Sequence, residues 1–580
     1  MTQPPGGHAP QGGFGAPYDP EQGTSPQQQP GYGYPQPQPG PYMPQPGPYM
    51  PQPGPYAPQP GPYAPQPGPY APQQGYGYGY PPQPPTGPAP GPGGPRGGGP
   101  FKGRTGVVVG AVLAVLLLAG GGIRLAAGDG GAEEKPVTGR GGTTAGPSSS
   151  PTAHDDGEGA SGPTADELNA GREPGEAEVA WLRENGVDLP EYGEETHGPW
   201  FAGDIVAKGM YRKVSGYGVA DGAERWSLRL PTDLCASPTL PTADGKIVVA
   251  IEDNVSESEA ECSVLQMIDL RTGRAGWKKT VDRSGLQDGL SHVAMSVSGD
   301  TVTFGRNTAS DAYRVSDGSA LFGKRETGVC QPYAFTGGAR MLAAVSCQAQ
   351  PDDPVRQQVQ EVDPRTGVPK WTYDLKPGWA VAHVYSTSPV VVSIKQPEKW
   401  AVLVLNDNGT YRSRMVGDGE DYAVRCGEES VDLGGNLDGC AGAAADASRF
   451  YLATLPLPGG AKKELTNKVV AFDLAGGRPL WKAAAPAGQV MMPLRVEGGK
   501  VLVHVGAVYR TSGAIGTLEP SGGAYASLLR HPASAAETES SLFVPKVAYR
   551  DGRSFLLPQR ISLDEDDEEK AATALLVFGG

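Results

Sequence analysis

"MIDLRTGRAGW", residues Met267 to Trp277, places an apolar run, an aspartate, a Thr-Gly pair and a tryptophan in one short stretch. An apolar run that meets a glycine turn and leaves on an aromatic reads as half of a β-hairpin, because glycine supplies the positive φ that a tight turn requires. Aligned on Gly273, the unit recurs with glycines at 222, 318, 367, 409, 477 and 523, at intervals of 42 to 51 residues apart from one of 68. The pairs ending at these glycines are Asp221-Gly222, Thr272-Gly273, Asp317-Gly318, Thr366-Gly367, Asn408-Gly409, Gly476-Gly477 and Gly522-Gly523. Four residues later an aromatic returns as Trp226, Trp277, Phe322, Trp371 and Trp481, whereas Ser413 and Ser527 break the rule and have Tyr411 and Tyr525 two residues earlier. Four residues before the glycine, Asp269, Asp363 and Asp473 repeat.

Short Val/Ile/Leu/Tyr runs fill the space between the turns, and helical periodicity is almost absent. A strand-built repeat of about 45 residues is the signature of a β-propeller, one four-stranded blade per unit. The units "QMIDLRTGRAGW", "QEVDPRTGVPKW" and "VAFDLAGGRPLW" resemble the pyrroloquinoline-quinone-type propeller repeat with its Asp-x-x-Thr-Gly-x-x-x-Trp tryptophan-docking motif. The resemblance covers residues 200 to 580 and is degenerate outside those three units. It implies that each tryptophan packs on the next blade and that the aspartate and turn hold the same joint. Asp269, Gly273, Trp277, Asp363, Gly367, Trp371, Asp473, Gly477, Trp481, Gly222, Trp226, Gly318 and Phe322 are then architectural. The expected fold is all-β, with four-stranded antiparallel blades. Seven glycines give seven units, and "VAYRDGRSFLLPQRIS" and "ATALLVFGG" add three strands. A fourth from around Val179 to Leu182 would make an eighth blade; eight is favoured over seven. The long interval from Gly409 to Gly477 holds Cys426 and Cys440 in an insertion, as a further blade or a loop.

The remaining chain divides by composition. Residues 1–104 are Pro, Gly, Gln and Tyr with few charges, too poor in aliphatic surface to offset chain entropy, and read as a disordered tail. Its "PQPGPYM/A" repeats favour polyproline II and suit a cytoplasmic polyproline-binding partner. Residues 105–127 contain an uncharged run from Gly106 to Ile123, read as a transmembrane helix and signal-anchor. Lys102 and Arg104 before it, with Asp129, Glu133 and Glu134 after it, place the N-terminus in the cytoplasm and the rest outside. Residues 128–198 read as a flexible tether, with a capping box at Thr164 and Glu167 marking a short helix, and residues 199–580 as the propeller. A net charge of −15 and a pI near 5.1 argue against nucleic-acid partners.

All six cysteines, Cys235, Cys262, Cys330, Cys347, Cys426 and Cys440, follow the apolar run, which suggests disulfides in an oxidising compartment. Pairing neighbours in sequence closes three local loops worth roughly 3 kcal/mol each, although six cysteines formally allow fifteen connectivities. The seven histidines show no paired metal spacing, and no hydrolase elbow, P-loop or kinase signature occurs. Quinoprotein dehydrogenases of this fold use adjacent cysteines and a calcium-bound quinone; this sequence has no adjacent cysteines. No catalytic, cofactor-binding or metal residue and no cofactor is therefore expected. The resemblance extends to non-enzymatic propellers such as the outer-membrane barrel assembly factor. The expected function is a membrane-tethered, extracytoplasmic protein-binding scaffold for an unknown protein or ligand, not an enzyme. A small-molecule-binding sensor and a quinone-dependent dehydrogenase are the alternatives.

Overall fold

The computed structural model describes residues 162–580 apart from 257–258, 286–287, 324–327, 351, 418, 427–430, 432–433, 460–463 and 564. The strands form eight four-stranded antiparallel blades, joined outer strand to inner strand in chain order. Their inner strands are Glu194–Ala202, Leu234–Ala236, Ala294–Ser298, Cys330–Phe335, Ala380–Thr387, Ala443–Ala445, Met491–Glu497 and Lys546–Arg550, in blades 1 to 8. The outer strand of blade 8 is Val179–Glu184, paired with Thr573–Phe578. The ring is thus closed by a strand from its N-terminal side. That strand, and the helix Ala165–Asn169 with its Thr164–Glu167 capping box, fall within the segment assigned to the tether. Near the C-terminus, Asp566–Ala571 is helical and Glu569 is buried.

The repeat residues meet at the joints. Trp226 of blade 1 donates from Nε1 to the Leu270 carbonyl of blade 2 at 3.0 Å, and Trp277 of blade 2 to the Val315 carbonyl of blade 3 at 2.7 Å. Trp481 reaches the Pro520 carbonyl of blade 7 at 2.7 Å, and Trp181 on the closing strand reaches Val219 of blade 1 at 3.2 Å. Each ring covers a turn glycine of the following blade. A Cβ on Gly273 would lie 2.5 Å from Trp226, one on Gly222 2.4 Å from Trp181, and one on Gly367 2.6 Å from Phe322. These glycines also have positive φ, so backbone conformation and close approach select the same residue. Asp269 Oδ1 accepts from Arg271 N at 2.9 Å, and Asp363 Oδ1 accepts from the Arg365 and Thr366 amides, which pins the turn that presents the glycine. Blade 5 has no tryptophan at this place; Ser413 Oγ instead donates to the Leu474 carbonyl of blade 6 at 2.6 Å. Trp371 differs too, donating to Glu361 Oε2 of its own blade at 3.0 Å. Because Trp277 is only half-buried, Trp277→Ala is expected to lower stability by about 3 kcal/mol, measurable by denaturant unfolding.

Three disulfides join Cys235 to Cys262, Cys330 to Cys347 and Cys426 to Cys440. Among the described residues, the insertion between blades 5 and 6 adds no further blade.

One set of expectations is corrected. Among the described residues no helix is long and apolar enough to cross a membrane, and residues 105–127 themselves lie outside the described residues. The transmembrane helix, the signal-anchor, the membrane as partner, and the cytoplasmic and extracytoplasmic placement of the two termini are therefore withdrawn. Membrane tethering is withdrawn as part of the function. The polyproline tail also lies outside the described residues.

Candidate functional site

The hairpin between the third and fourth strands of blades 1 to 7 turns at one face of the ring, where the repeat is most regular. The connections into each inner strand lie at the other face, together with the turns after the second strands, and these do not repeat. Non-repeating loops carried on a rigid frame are where a fold of this kind places function.

The insertion enters from that non-repeating face and crosses the central channel. Asn436 Oδ1 accepts from Met295 N of blade 3 at 2.8 Å, while its Nδ2 donates to the Ser237 carbonyl of blade 2 at 2.9 Å. The Asp438 carboxylate accepts from Thr239 Oγ1 of blade 2 at 3.0 Å and from Gly337 N of blade 4 at 2.5 Å. Val384 N of blade 5 donates to the Leu437 carbonyl at 2.8 Å. Val431 and Leu437 are buried with Tyr333, Ala334, Val381 and Val384. One loop therefore ties four successive blades, 2 to 5, with Val431 and Leu437 buried in the same cluster as residues from the inner strands of blades 4 and 5. Desolvation in the channel raises the Asp438 carboxyl above the usual range, against the pull of its two donors.

Above this plug, the opening ends of blades 8, 1 and 2 gather charge. Lys546 Nζ donates to Glu195 Oε1 at 3.0 Å and to the Thr196 carbonyl. Arg212 is paired with Asp233, whose carbonyl accepts from Glu252 N at 2.9 Å. Glu194 and Glu252 are half-buried and form no ion pair within 4 Å among the described residues. Burial, with Asp233 and Glu194 nearby, pushes the Glu252 carboxyl up to about 7; burial also raises Glu194. His197 is buried, 2.9 Å from Ser237 Oγ through Nδ1, and burial lowers it to about 4. The folded state therefore refuses a proton that the unfolded chain accepts below about 6.5. Stability should be intact above that pH and fall by roughly 2–3 kcal/mol as pH drops toward 4. His197→Asn should flatten this part of a chemical-denaturation profile; an unchanged slope would contradict the assignment.

A second buried group has the order of a hydrolytic triad. Ser554 Oγ lies 2.8 Å from His531 Nε2, and His531 Nδ1 lies 2.8 Å from Glu539 Oε1. Ser554 and His531 are fully buried, and the His531 ring stacks on Phe578 at 3.9 Å. No substrate reaches a serine sealed in this way, so the relay works as a clasp between the helix Ala536–Ser541 and blade 8. Although burial would raise it, the adjacent His531 and His504 rings hold the Glu539 carboxyl down to about 2.

A third group lies at the base of the insertion. The side-chain donors of His383, Cys426 and Cys440 are all within 4.8 Å of one another.

The family described as outer membrane protein assembly factor BamB matches residues 167–326. No curated protein matches the sequence. Among solved structures, BamB from Moraxella catarrhalis is 14% identical, with a TM-score of 0.36, covering 69% of this chain and 100% of that one. A europium-containing methanol dehydrogenase is 11% identical at a TM-score of 0.40, covering 69% and 93%. Quinohemoprotein alcohol dehydrogenase from Comamonas testosteroni is 13% identical at 0.36, covering 71% and 82%. The chain is similar to these in propeller architecture. The expectation that it is not an enzyme is withdrawn, since the propeller architecture gives no ground for that exclusion.

The residues at the mouth do not fit pyrroloquinoline quinone. That cofactor is a planar tricarboxylate, and here it would meet the carboxylates of Glu194, Glu195, Asp233 and Glu252. No quinone-dependent step is derived. The residues of interest here, Glu194, Glu252, His197 and Asp438, carry no sequence signature; each stands in a stretch that does not repeat.

Proposed function

We propose that the propeller is a small-molecule-binding domain that takes an organic cation at the mouth formed by blades 8, 1 and 2. The observation that supports this reading most is the convergence there of Glu194, Glu195, Asp233 and Glu252 from three non-repeating connections; among the described residues Lys546 pairs with Glu195 and Arg212 with Asp233, and the Arg560 charge also acts on Glu194 and Glu195. Burial first, and then repulsion from the Asp233 and Glu194 carboxylates, pushes the Glu252 carboxyl up to about 7 and so disfavours its charged form there. A bound cation relieves that repulsion. Beneath the mouth the loop is pinned to blades 2, 3 and 4 through Asn436 and Asp438, which favours binding at this face.

Ligand and proton compete for the same carboxylates, which fixes the sign of the pH dependence. Affinity should rise as pH increases through about 7 and level off above it, because the deprotonated Glu252 favours the cation. Calorimetric titration with choline, putrescine, spermidine and glucosamine across that range tests the reading. A member that binds tenfold more tightly on the alkaline side supports it. No binding by any of them, or binding that tightens as pH falls, removes it.

A further inference from the structure

We propose that Cys426 and Cys440, once reduced, join His383 in a binding site for a soft divalent metal ion of the zinc class. Two thiolates and an imidazole are the donors such an ion prefers. Among the described residues, no other set of three His, Cys, Asp or Glu donors gathers as tightly. A tetrahedral set keeps its ligand atoms about 3.5–3.8 Å apart, and these lie within 4.8 Å of one another, a difference that side-chain rotation covers.

The backbone holds the three residues together without help from the disulfide. Arg425 and Ala441, next to the two cysteines, form an antiparallel bridge with both bonds made: Arg425 N donates to Ala441 O at 2.9 Å, and Ala441 N to Arg425 O at 2.7 Å. His383 stands on the inner strand of blade 5, and its neighbour Val384 donates to the Leu437 carbonyl of the same loop. Asn436 and Asp438 anchor the far end of that loop to blades 2, 3 and 4. Breaking the sulfur–sulfur bond therefore leaves the cysteines opposite each other beside the imidazole. Three protein ligands leave a fourth position for water or an added ligand, as in open sites.

The chemistry balances. A phosphine reductant supplies two electrons to the disulfide and, taking its oxygen from one water, ends as the phosphine oxide, while that water's two protons go to the two sulfurs. The metal then displaces the two thiol protons as both thiolates bind. The same loop is thus fastened across the channel by a covalent bond in oxidising surroundings and by a metal in reducing ones.

The test is anaerobic titration of the full chain, reduced with tris(2-carboxyethyl)phosphine, with cobalt(II) as probe. One cobalt per chain is expected, with thiolate-to-cobalt charge-transfer absorption, and alkylation followed by mass spectrometry should show Cys426 and Cys440 protected. His383→Ala should weaken binding at least tenfold, Cys426→Ser/Cys440→Ser should abolish it, and the oxidised chain should bind none. Protein kept reduced from zinc-supplemented cytosol should carry one zinc per chain. The proposal is overturned if other cysteines are protected, if His383→Ala binds like the parent, or if the folded reduced chain carries no metal. A chain that loses its circular-dichroism signal on reduction overturns it too, because the Arg425–Ala441 bridge is required to outlast the disulfide.

Discussion

Gly273→Ala should lower the stability of the propeller by about 2–4 kcal/mol, far more than an added methyl group costs on an open surface. Two effects add. The residue has a φ of +70°, where an L side chain costs about 1 kcal/mol. The new Cβ would also lie 2.5 Å from Trp226 and displace the ring from the joint between blades 1 and 2, an overpacking cost of roughly 1–3 kcal/mol. Gly299 separates the two effects, since it has a φ of +60° and no atom within 4 Å of the place a methyl would take, and Gly299→Ala should cost only about 1 kcal/mol. In the Trp226→Ala background the penalty at Gly273 should fall to the same level. Denaturant unfolding of this double-mutant cycle measures the coupling directly. Additive losses would mean that ring and glycine do not share a joint.

Deleting residues 176–186 should remove most of the fold's stability. The deletion takes away the outer strand of blade 8 with the buried side chains of Val179 and Trp181. It also removes the Trp181 bond to Val219 and the Arg183 bond to the Gly222 carbonyl, which fasten blade 8 to blade 1. Burial of Val179 and Trp181 is worth about 5 kcal/mol, comparable to the whole stability of many domains. Far more than one strand's share is lost because a ring opened at one joint exposes both faces of that joint. A synthetic peptide spanning 176–186 should restore cooperative unfolding. If the deleted chain unfolds like the parent, the ring is not closed by this strand.

The joints were legible in the sequence because most blades meet the same demand. A flat ring must cover a neighbouring turn, the turn must bring its backbone within van der Waals contact, and only glycine allows that approach at positive φ. Asp269, Gly273 and Trp277 recur for that reason. The closing strand was legible for a related reason, since three C-terminal strands lack a fourth and Val179 to Leu182 supply an apolar run. Blade 5 shows the limit: Ser413 replaces the indole donor with a hydroxyl, chemistry that no aromatic pattern finds. The mouth and the plug were not legible. Glu194 and Glu252 come together only because blades 1 and 2 are adjacent, and Asn436 reaches Ser237 across 199 residues of sequence. Such contacts depend on the closed ring, and no local periodicity encodes them.

Residues that build the ring are distinct from residues that bind at its mouth, and calorimetric titration of two matched variants measures that separation. Glu252→Gln removes a mouth carboxylate, whereas Asp269→Asn removes a carboxylate from a repeat turn at the opposite face. With the tightest-binding cation from the panel, Glu252→Gln should lose at least tenfold in affinity and Asp269→Asn should bind within about twofold of the parent, both being folded. Loss of binding in Asp269→Asn with Glu252→Gln unaffected would contradict that division of labour.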